Sequence, residues 1–273
     1  MMGSEIDSLL RNADPDRYLC AMFAQPDQRA ALLALYGLEH ELARVALSPS
    51  ESLIGEIKLI WWRDAVTDLG ASPPKVRRHE VTEGLARLGD RIGPSDLMPL
   101  IDARFDDISA RPFADLDDVL AHVDATAGVL VRLSLRLVGA SDSVSPGLMR
   151  AAGRAWGLTG LLRAFPQRAR IGRAPVGADE LARQDATPAM LAQGLGSEKI
   201  AAARQPVIEA ARAACETVMS SGPLPAEAVP AIGYCRLAAT YLDRLPAGPY
   251  QIAPDLNPLG RRLRLTWLAL TGR

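Results

Sequence analysis

The sequence predicts an all-α protein. Alanine and leucine are abundant and are strong helix formers, whereas aromatic residues make up only 5% of the chain and no long β-branched run occurs. Apolar residues recur at steps of three and four, which is typical of helices with one buried face. An apolar fraction of 48% supplies a sizeable core. Because no repeat or composition break divides the chain, we expect one all-α domain over residues 1–273.

Start and stop signals divide the first half into helices. Asp14-Pro15-Asp16 combines an N-cap with a proline in the first turn and predicts a short helix over 18–23. A second helix is expected from Pro26 to about Ala46, where its apolar stripe ends. Four further helices, bounded by prolines and glycines, are predicted over 51–69, 76–88, 94–108 and 115–138.

The second half is more broken by proline and glycine. Ser145-Pro146 begins a helix that we expect to end near Pro166, because proline cannot continue the hydrogen-bond ladder. Residues 168–196 are predicted to be rich in loops, with short helical pieces. The last predicted elements are helices over 198–220 and 226–244, an extended connection over 246–258 and a basic helix over 259–271.

Charge and cysteine content exclude several classes. The net charge is -1, so the positive excess of a nucleic-acid-binding protein is missing and no nucleic-acid partner is expected. The three cysteines are far apart and form no CxxC pair, which predicts buried, reduced thiols rather than a zinc site. No signal peptide or membrane-spanning run is visible. We expect a cytoplasmic location, with peripheral contact with the inner membrane left open.

Five stretches, in this order, resemble the squalene/phytoene synthase family. They are the helix ending in ALLALY at Tyr36, KLIWWR at Arg63, the F-A-D-L…A-G-V pattern from Phe113, the frame GLTGLLR…GR…DEL up to Leu181, and YLDRL from Tyr241. Each stretch is weak alone, but the set covers nearly the whole chain. The resemblance implies an isoprenoid synthase-type bundle around a central cavity, and enzymes that join two prenyl diphosphates head to head.

In that family, aspartates on two facing helices hold magnesium, which neutralises the diphosphate leaving group. The metal-binding positions of the family fall here on non-acidic residues, namely Ala43, Arg44, Leu47, Gly157, Gly160, Ala164, Gln167 and Arg168. Cations at two of these positions would repel magnesium. We therefore predict no catalytic residue, no metal site and no cofactor, with Mg²⁺ needed only if the chain is a working prenyltransferase.

The segment YGLEHELARV, which begins at Tyr36, is similar to an aspartate-poor branch of the family that is associated with assembly of mitochondrial respiratory complex I. In that branch Glu41, Leu42 and Ala43 are regular features. The resemblance implies a non-catalytic binding or assembly factor with respiratory-complex subunits as partners. Two alternatives stay open: an active head-to-head prenyltransferase that makes squalene- or phytoene-type isoprenoids, and a carrier of prenyl lipids or diphosphates without turnover.

Arginines around the second motif form a candidate anion site. Arg163, Arg168 and Arg173 have the guanidinium forks that suit diphosphate or lipid phosphate oxygens. Arg44 and Tyr36 would join them if the two motif helices face each other. We predict binding of a prenyl diphosphate or an anionic lipid without magnesium; the alternative is a solvated basic loop.

Other charged and aromatic patterns have ordinary interpretations. The acidic groups of Asp102, Asp106, Asp107, Asp117 and Asp118 are expected on solvated helix faces. His40, His79 and His122 are expected to be ordinary surface or core residues, with His122 able to pair with Asp118 on the helix surface. Of Trp61 and Trp62, one is expected inside and the other near the surface.

The C-terminus combines arginines with apolar residues. Arg261, Arg262, Arg264 and Arg273 alternate with Leu263, Leu265 and Trp267. This pattern predicts a basic amphipathic helix that could contact an anionic membrane. The alternative is an ordinary closing helix.

Overall fold

The structure is a computed structural model that describes residues 4–46, 52–109 and 111–273. Within these ranges the chain is helical, and an isolated parallel bridge pairs Phe113 with Gly177. The helices of the first half are α1 (Ser4–Ala13), α2 (Pro15–Ala21), α3 (Pro26–Ala46), α4 (Ser52–Leu69), α5 (Glu80–Ala86), α6 (Pro94–Ile108), α7 (Leu116–Val123) and α8 (Val129–Val138).

Shorter helices dominate the second half. They are α9 (Pro146–Arg163), α10 (Phe165–Arg170), α11 (Ala178–Arg183), α12 (Pro188–Gln193), α13 (Ser197–Ala203), α14 (Gln205–Ser220), α15 (Val229–Ile232), α16 (Ala238–Leu242) and α17 (Pro258–Thr271). Two 3-10 segments occur at Gly89–Arg91 and Gly233–Leu237, and a π-helical turn at Asp124–Gly128 joins α7 to α8. The all-α prediction is confirmed.

Several predicted helices match the structure because their capping signals are local. The side chain of Asp14 accepts a hydrogen bond from the Arg17 amide, and that of Ser145 accepts one from the Leu148 amide, at 3.3 and 3.2 Å. Helices α3 and α6 have the predicted lengths. The predicted start of α4 at Glu51, the Ser48-Pro49-Ser50 stop and Leu47 lie outside the described residues.

Other boundaries were wrong, for identifiable reasons. The helix predicted over 76–88 begins only at Glu80, where the Nδ1 atom of His79 accepts a hydrogen bond from the Val81 amide at 3.2 Å. The helix predicted over 198–220 is divided at Arg204, since Pro206 lies in the first turn of α14 and cannot donate a hydrogen bond. The helix predicted over 226–244 is replaced by α15, a 3-10 segment and α16. Helix α1 was not predicted.

Two apolar cores are present in the described chain. The larger core lies in the bundle of α1–α9 and α14–α17, where α9 packs on α14, α4 packs on α6, and α3 contacts α5, α6 and α8. A smaller core, which includes Phe165, Leu181, Leu191 and Ile200, holds α10–α13 together. The three cysteines are buried, as predicted.

Helix α9 approaches the π-helical turn very closely. A Cβ atom at Gly153 would lie 2.8 Å from the Cα atom of Gly128. A Cβ atom at Gly157 would lie 2.6 Å from Cγ1 of Val123 and 2.9 Å from Cβ of Ala127. Glycine at these positions therefore permits near backbone-to-backbone packing of the motif helix on its neighbour.

None of the described helices is both long enough and apolar enough to cross a membrane. The longest described helix, α3, has 21 residues, but charged side chains interrupt it.

Candidate functional site

The structure separates the five predicted anion-binding residues. Arg168 on α10 and Arg173 in the following loop converge on one buried carboxylate. Arg163 at the end of α9 contacts other partners, and so does Arg44 on α3. Tyr36 is buried in the interior of the bundle.

Asp107 of α6 is the carboxylate on which the arginines converge. Its Oδ1 atom lies 2.6 Å from a terminal nitrogen of Arg168 and 3.5 Å from Nε of Arg173, and its Oδ2 atom lies 3.0 Å from Arg104. The side chains of Asp107, Arg104, Arg168 and Arg173 are all buried. Asp107 therefore links α6 to α10 and to the loop of the second motif.

Further contacts fix these arginines. Arg104 also pairs with Glu39 of α3. Nε of Arg168 donates to the carbonyl of Arg173 at 3.1 Å, and Arg173 donates to the carbonyl of Arg111. The guanidinium of Arg173 also lies 3.8 Å from the centre of the Phe113 ring. We call Glu39, Arg104, Asp107, His122, Arg168 and Arg173 the Asp107 cluster.

The ionisation of the cluster follows from burial and charge. Burial opposes the charge of Asp107, yet Arg168 and Arg104 hold its pKa well below its ordinary value. Burial lowers the pKa of His122 to about 4, and the neighbouring guanidiniums add to this effect against the attraction of Asp107. At neutral pH His122 is therefore uncharged, and three arginines face two carboxylates, which leaves one positive charge in excess.

Two predictions about these residues need correction. Asp107 was expected on a solvated helix face but is buried, while its neighbours Asp102 and Asp106 are exposed as expected. His122 was expected to pair with Asp118, but its Nε2 atom lies 3.6 Å from Asp107 instead. The spacing of three between Arg104 and Asp107 hinted at a helical ion pair, but such spacing does not reveal burial.

Arg17 is a further buried cation and lies among aromatic rings. It was not identified from the sequence as a candidate site residue. Arg17 of α2 lies 5.2 Å from the ring centre of Tyr234, 5.7 Å from Tyr36 and 5.8 Å from Trp156. Its guanidinium also pairs with Asp14 at 2.8 Å. Burial opposes the charge of Arg17, yet its neighbours hold its pKa above the ordinary value. We call Arg17 and the three rings the Arg17 cage.

Tyr36 belongs to this cage rather than to the arginines of the second motif. Its hydroxyl donates to the carbonyl of Ala231 at 3.4 Å, and its ring meets that of Tyr234 edge to face at 6.4 Å between centres. Burial raises the pKa of the Tyr36 hydroxyl, so it stays a neutral hydrogen-bond donor.

Arg163 takes part in a network that holds the C-terminal helix. It lies 3.8 Å from the centre of the Tyr241 ring and pairs with Asp255 at 3.1 Å. Arg261 of α17 joins Asp255 to Asp16 of α2, with contacts of 2.8 and 2.7 Å. Arg261 was grouped with the arginines of the basic tail that could contact a membrane, but the structure buries it in ion pairs, so it is not available for such a contact.

Arg44 borders a surface cavity of about 360 Å³ between α3 and α4. Its exposed guanidinium pairs with Glu41 at 2.8 Å. Trp62 forms part of the cavity wall and is buried, whereas Trp61 is half-buried, as predicted for this pair.

Among the described residues, no three His, Cys, Asp or Glu side chains lie close enough together to hold an ion. The predicted metal-motif position Arg168 instead contributes a cation to the Asp107 cluster.

This fold and these motif positions define a squalene/phytoene synthase-type helical protein. The sequence model of the squalene/phytoene synthase family matches residues 10–269, so the chain belongs to that family. A solved dehydrosqualene synthase superposes with a TM-score of 0.78 over 98% of this chain and 95% of that one, at 14% identity. At this identity the likeness shows the fold alone, and it confirms the isoprenoid synthase-type architecture.

Two kinds of curated relative share part of the sequence. The bovine (Bos taurus) NADH dehydrogenase (ubiquinone) complex I, assembly factor 6, is 27% identical over 169 aligned residues, and the match covers 58% of this chain and 47% of that protein. The presqualene diphosphate synthase of Rhodopseudomonas palustris (strain ATCC BAA-98 / CGA009) is 30% identical over 151 aligned residues, and the match covers 54% of this chain and 52% of that protein. The chain thus spans about half the length of these relatives.

Proposed function

We propose that this chain is a non-catalytic member of its family that acts as an assembly factor for a respiratory NADH dehydrogenase. The observation that carries the proposal is the buried pairing of Arg168 with Asp107 at 2.6 Å. By motif resemblance, Arg168 stands where the enzymes of the family have an aspartate that binds magnesium.

The Arg168–Asp107 pair argues against magnesium binding for two reasons: Arg168 is a cation, and Asp107 is already engaged. Magnesium needs carboxylate or phosphate oxygens, and a guanidinium at the same position repels it. The carboxylate of Asp107 is not free to compensate, since it already receives Arg104 and Arg168. These contacts favour a structural role for the second motif over magnesium-dependent prenyl transfer.

The Arg17 cage supports the same proposal. Prenyl transfer in this family proceeds as a carbocation forms, and aromatic rings favour a cation at their faces. Here the faces of Tyr36, Tyr234 and Trp156 surround the guanidinium of Arg17. A developing carbocation beside this guanidinium would be destabilised by like-charge repulsion.

The relative that bears the name of a complex I assembly factor indicates which process to test. Deleting the gene in its source organism should lower the amount of fully assembled NADH dehydrogenase, measured on native gels. It should also lower the rate at which membranes oxidise NADH. Re-expression of the wild-type chain should restore both. Normal assembly in the deletion strain would contradict the proposal, provided that no second copy of the gene is present.

Binding of an anion without magnesium stays a prediction. Arg44 and Arg163 are the partly accessible members of the predicted set, whereas Arg168 and Arg173 are buried in ion pairs. Calorimetric titration with farnesyl diphosphate in EDTA should give heat of binding, and Arg44→Gln with Arg163→Gln should reduce it. Absence of heat from the wild-type chain would contradict the prediction.

A further inference from the structure

Helix α17 has two apolar faces. Leu265 and Leu268 are buried against the rest of the bundle, where α17 contacts α2 and the 3-10 segment Gly233–Leu237. The opposite face is an apolar stripe at steps of four, four and three, which is the spacing of one helix face. It consists of Leu259, Leu263, Trp267 and Leu270, which are between 62% and 78% exposed.

The charges around this stripe have one sign. At 3.6 residues per turn, Arg262 and Arg264 project on either side of the stripe. Both are exposed, and α17 contains no Asp or Glu. The nearby carboxylate of Asp255 is already paired with Arg261 and Arg163. The stripe is therefore an apolar surface with a cationic border.

A second exposed apolar stripe provides a contrast. Leu53, Ile57 and Ile60 of α4 are also exposed, but Glu56, Lys58 and Asp64 border or interrupt them with charges of both signs. Of these two described stripes, the one on α17 has the border that is complementary to a surface of uniform negative charge.

We propose that α17 is an interfacial helix by which the protein binds an anionic lipid bilayer. Leu259, Leu263 and Trp267 enter the boundary between headgroups and acyl chains, while Arg262 and Arg264 contact lipid phosphates. The helix lies parallel to the surface. With 14 residues, it is shorter than the roughly 20 that a membrane-spanning helix needs.

The way in which α17 is held suits this role. Arg261 pairs with Asp16 at 2.7 Å and with Asp255 at 2.8 Å, which anchors the inner face of the helix to the bundle. The outer stripe is thereby presented on a fixed element, and lipid binding needs no unfolding of the helix. This inference does not depend on the proposed assembly function, because it concerns a different surface and a different ligand.

Sedimentation with vesicles tests the inference. The wild-type chain should bind vesicles of phosphatidylcholine mixed with phosphatidylglycerol, bind pure phosphatidylcholine at least about tenfold more weakly, and lose affinity as salt rises. Leu263→Ser with Trp267→Ser should reduce binding about tenfold or more, and so should Arg262→Glu with Arg264→Glu. Ile57→Ser with Ile60→Ser on α4 is the matched control and should bind like the wild type.

Tryptophan fluorescence reports whether the stripe enters the bilayer. Trp267 is the exposed one of the four tryptophans, so lipids brominated on the acyl chains should quench the bound protein, and Trp267→Phe should bind but show little quenching. Absence of vesicle binding, equal binding to neutral vesicles, or full binding by the Leu263 and Trp267 variant would each overturn the inference. Equal loss in the α4 control would overturn it as well. Circular dichroism confirms that each variant is folded.

Discussion

At the scale of single residues, Asp107 is the carboxylate that holds Arg168 and Arg173 of the second motif. Three arginines surround it in the protein interior, and its removal would leave Arg168 and Arg173 without a carboxylate partner. Breaking a buried ion pair by removing one partner costs about 3–5 kcal/mol.

We therefore expect Asp107→Asn to lower the free energy of unfolding by about 3 kcal/mol or more. The neighbouring Asp106 is exposed, so Asp106→Asn should change stability by less than about 0.5 kcal/mol. Urea denaturation at pH 7 measures both. Similar small effects of the two substitutions would show that the Asp107 cluster is not a stabilising centre.

His122 makes stability depend on pH. Its pKa falls from 6.5 to about 4 on folding because burial favours the neutral ring, so the unfolded chain binds more protons between these values. Stability is then full above about pH 6.5 and is lost as the pH falls towards 4, by about 3 kcal/mol in total.

The variant His122→Gln cannot take up this proton. Its stability, measured in urea from pH 7 to pH 4.5, should therefore fall less steeply than that of the wild type. The predicted direction of the pH dependence follows because His122 is neutral in the folded protein. Its ring lies 3.6 Å from Asp107, and burial and the neighbouring guanidiniums lower its pKa. Parallel curves for the two proteins would contradict it.

At the scale of elements, close packing of α9 explains the glycine at position 157 but not the one at position 160. A side chain at Gly157 would collide with Val123 and Ala127, both on the neighbouring helical segment, and Val123 is β-branched and stiff. Gly160 is exposed and has open space around its Cβ position. The two glycines therefore have different roles although they lie three residues apart.

Gly157→Ala should destabilise the protein by about 1–3 kcal/mol through overpacking. Gly160→Ala on the same helix should be neutral or stabilising by up to about 1 kcal/mol, since alanine favours helix. Thermal denaturation of the pair measures the difference. Equal changes in thermal stability for the two variants would mean that α9 is not tightly packed against the π-helical turn at Gly157.

Some helix boundaries can be predicted from the sequence, whereas the burial of charged residues cannot. Helices α3, α6 and α17 were predicted nearly to their ends, because apolar periodicity and capping residues are local signals. The break at Arg204 has a local signal in Pro206, which the prediction did not use. The 3-10 segment at 233–237 contacts α2, α9 and α14, which are distant from it in sequence. The burial of Asp107 and Arg17 also depends on contacts far apart in sequence, such as those with Arg168 and Tyr234, so residue type and spacing alone did not reveal them.

At the scale of the whole molecule, the chain keeps the bundle of a squalene/phytoene synthase-type protein and places its own cations in the interior. Arg17, Arg104, Arg168 and Arg173 are buried and paired with carboxylates or rings. We propose that this scaffold serves binding and assembly rather than prenyl transfer.

Incubation with farnesyl diphosphate and Mg²⁺, followed by analysis of extracted products, tests whether the chain is non-catalytic. A dehydrosqualene synthase or presqualene diphosphate synthase serves as the positive control under the same conditions. We expect to recover unreacted farnesyl diphosphate after incubation with the folded wild-type chain. Formation of presqualene diphosphate, squalene or any other head-to-head product above the level of a protein-free control would contradict it and establish the prenyltransferase alternative.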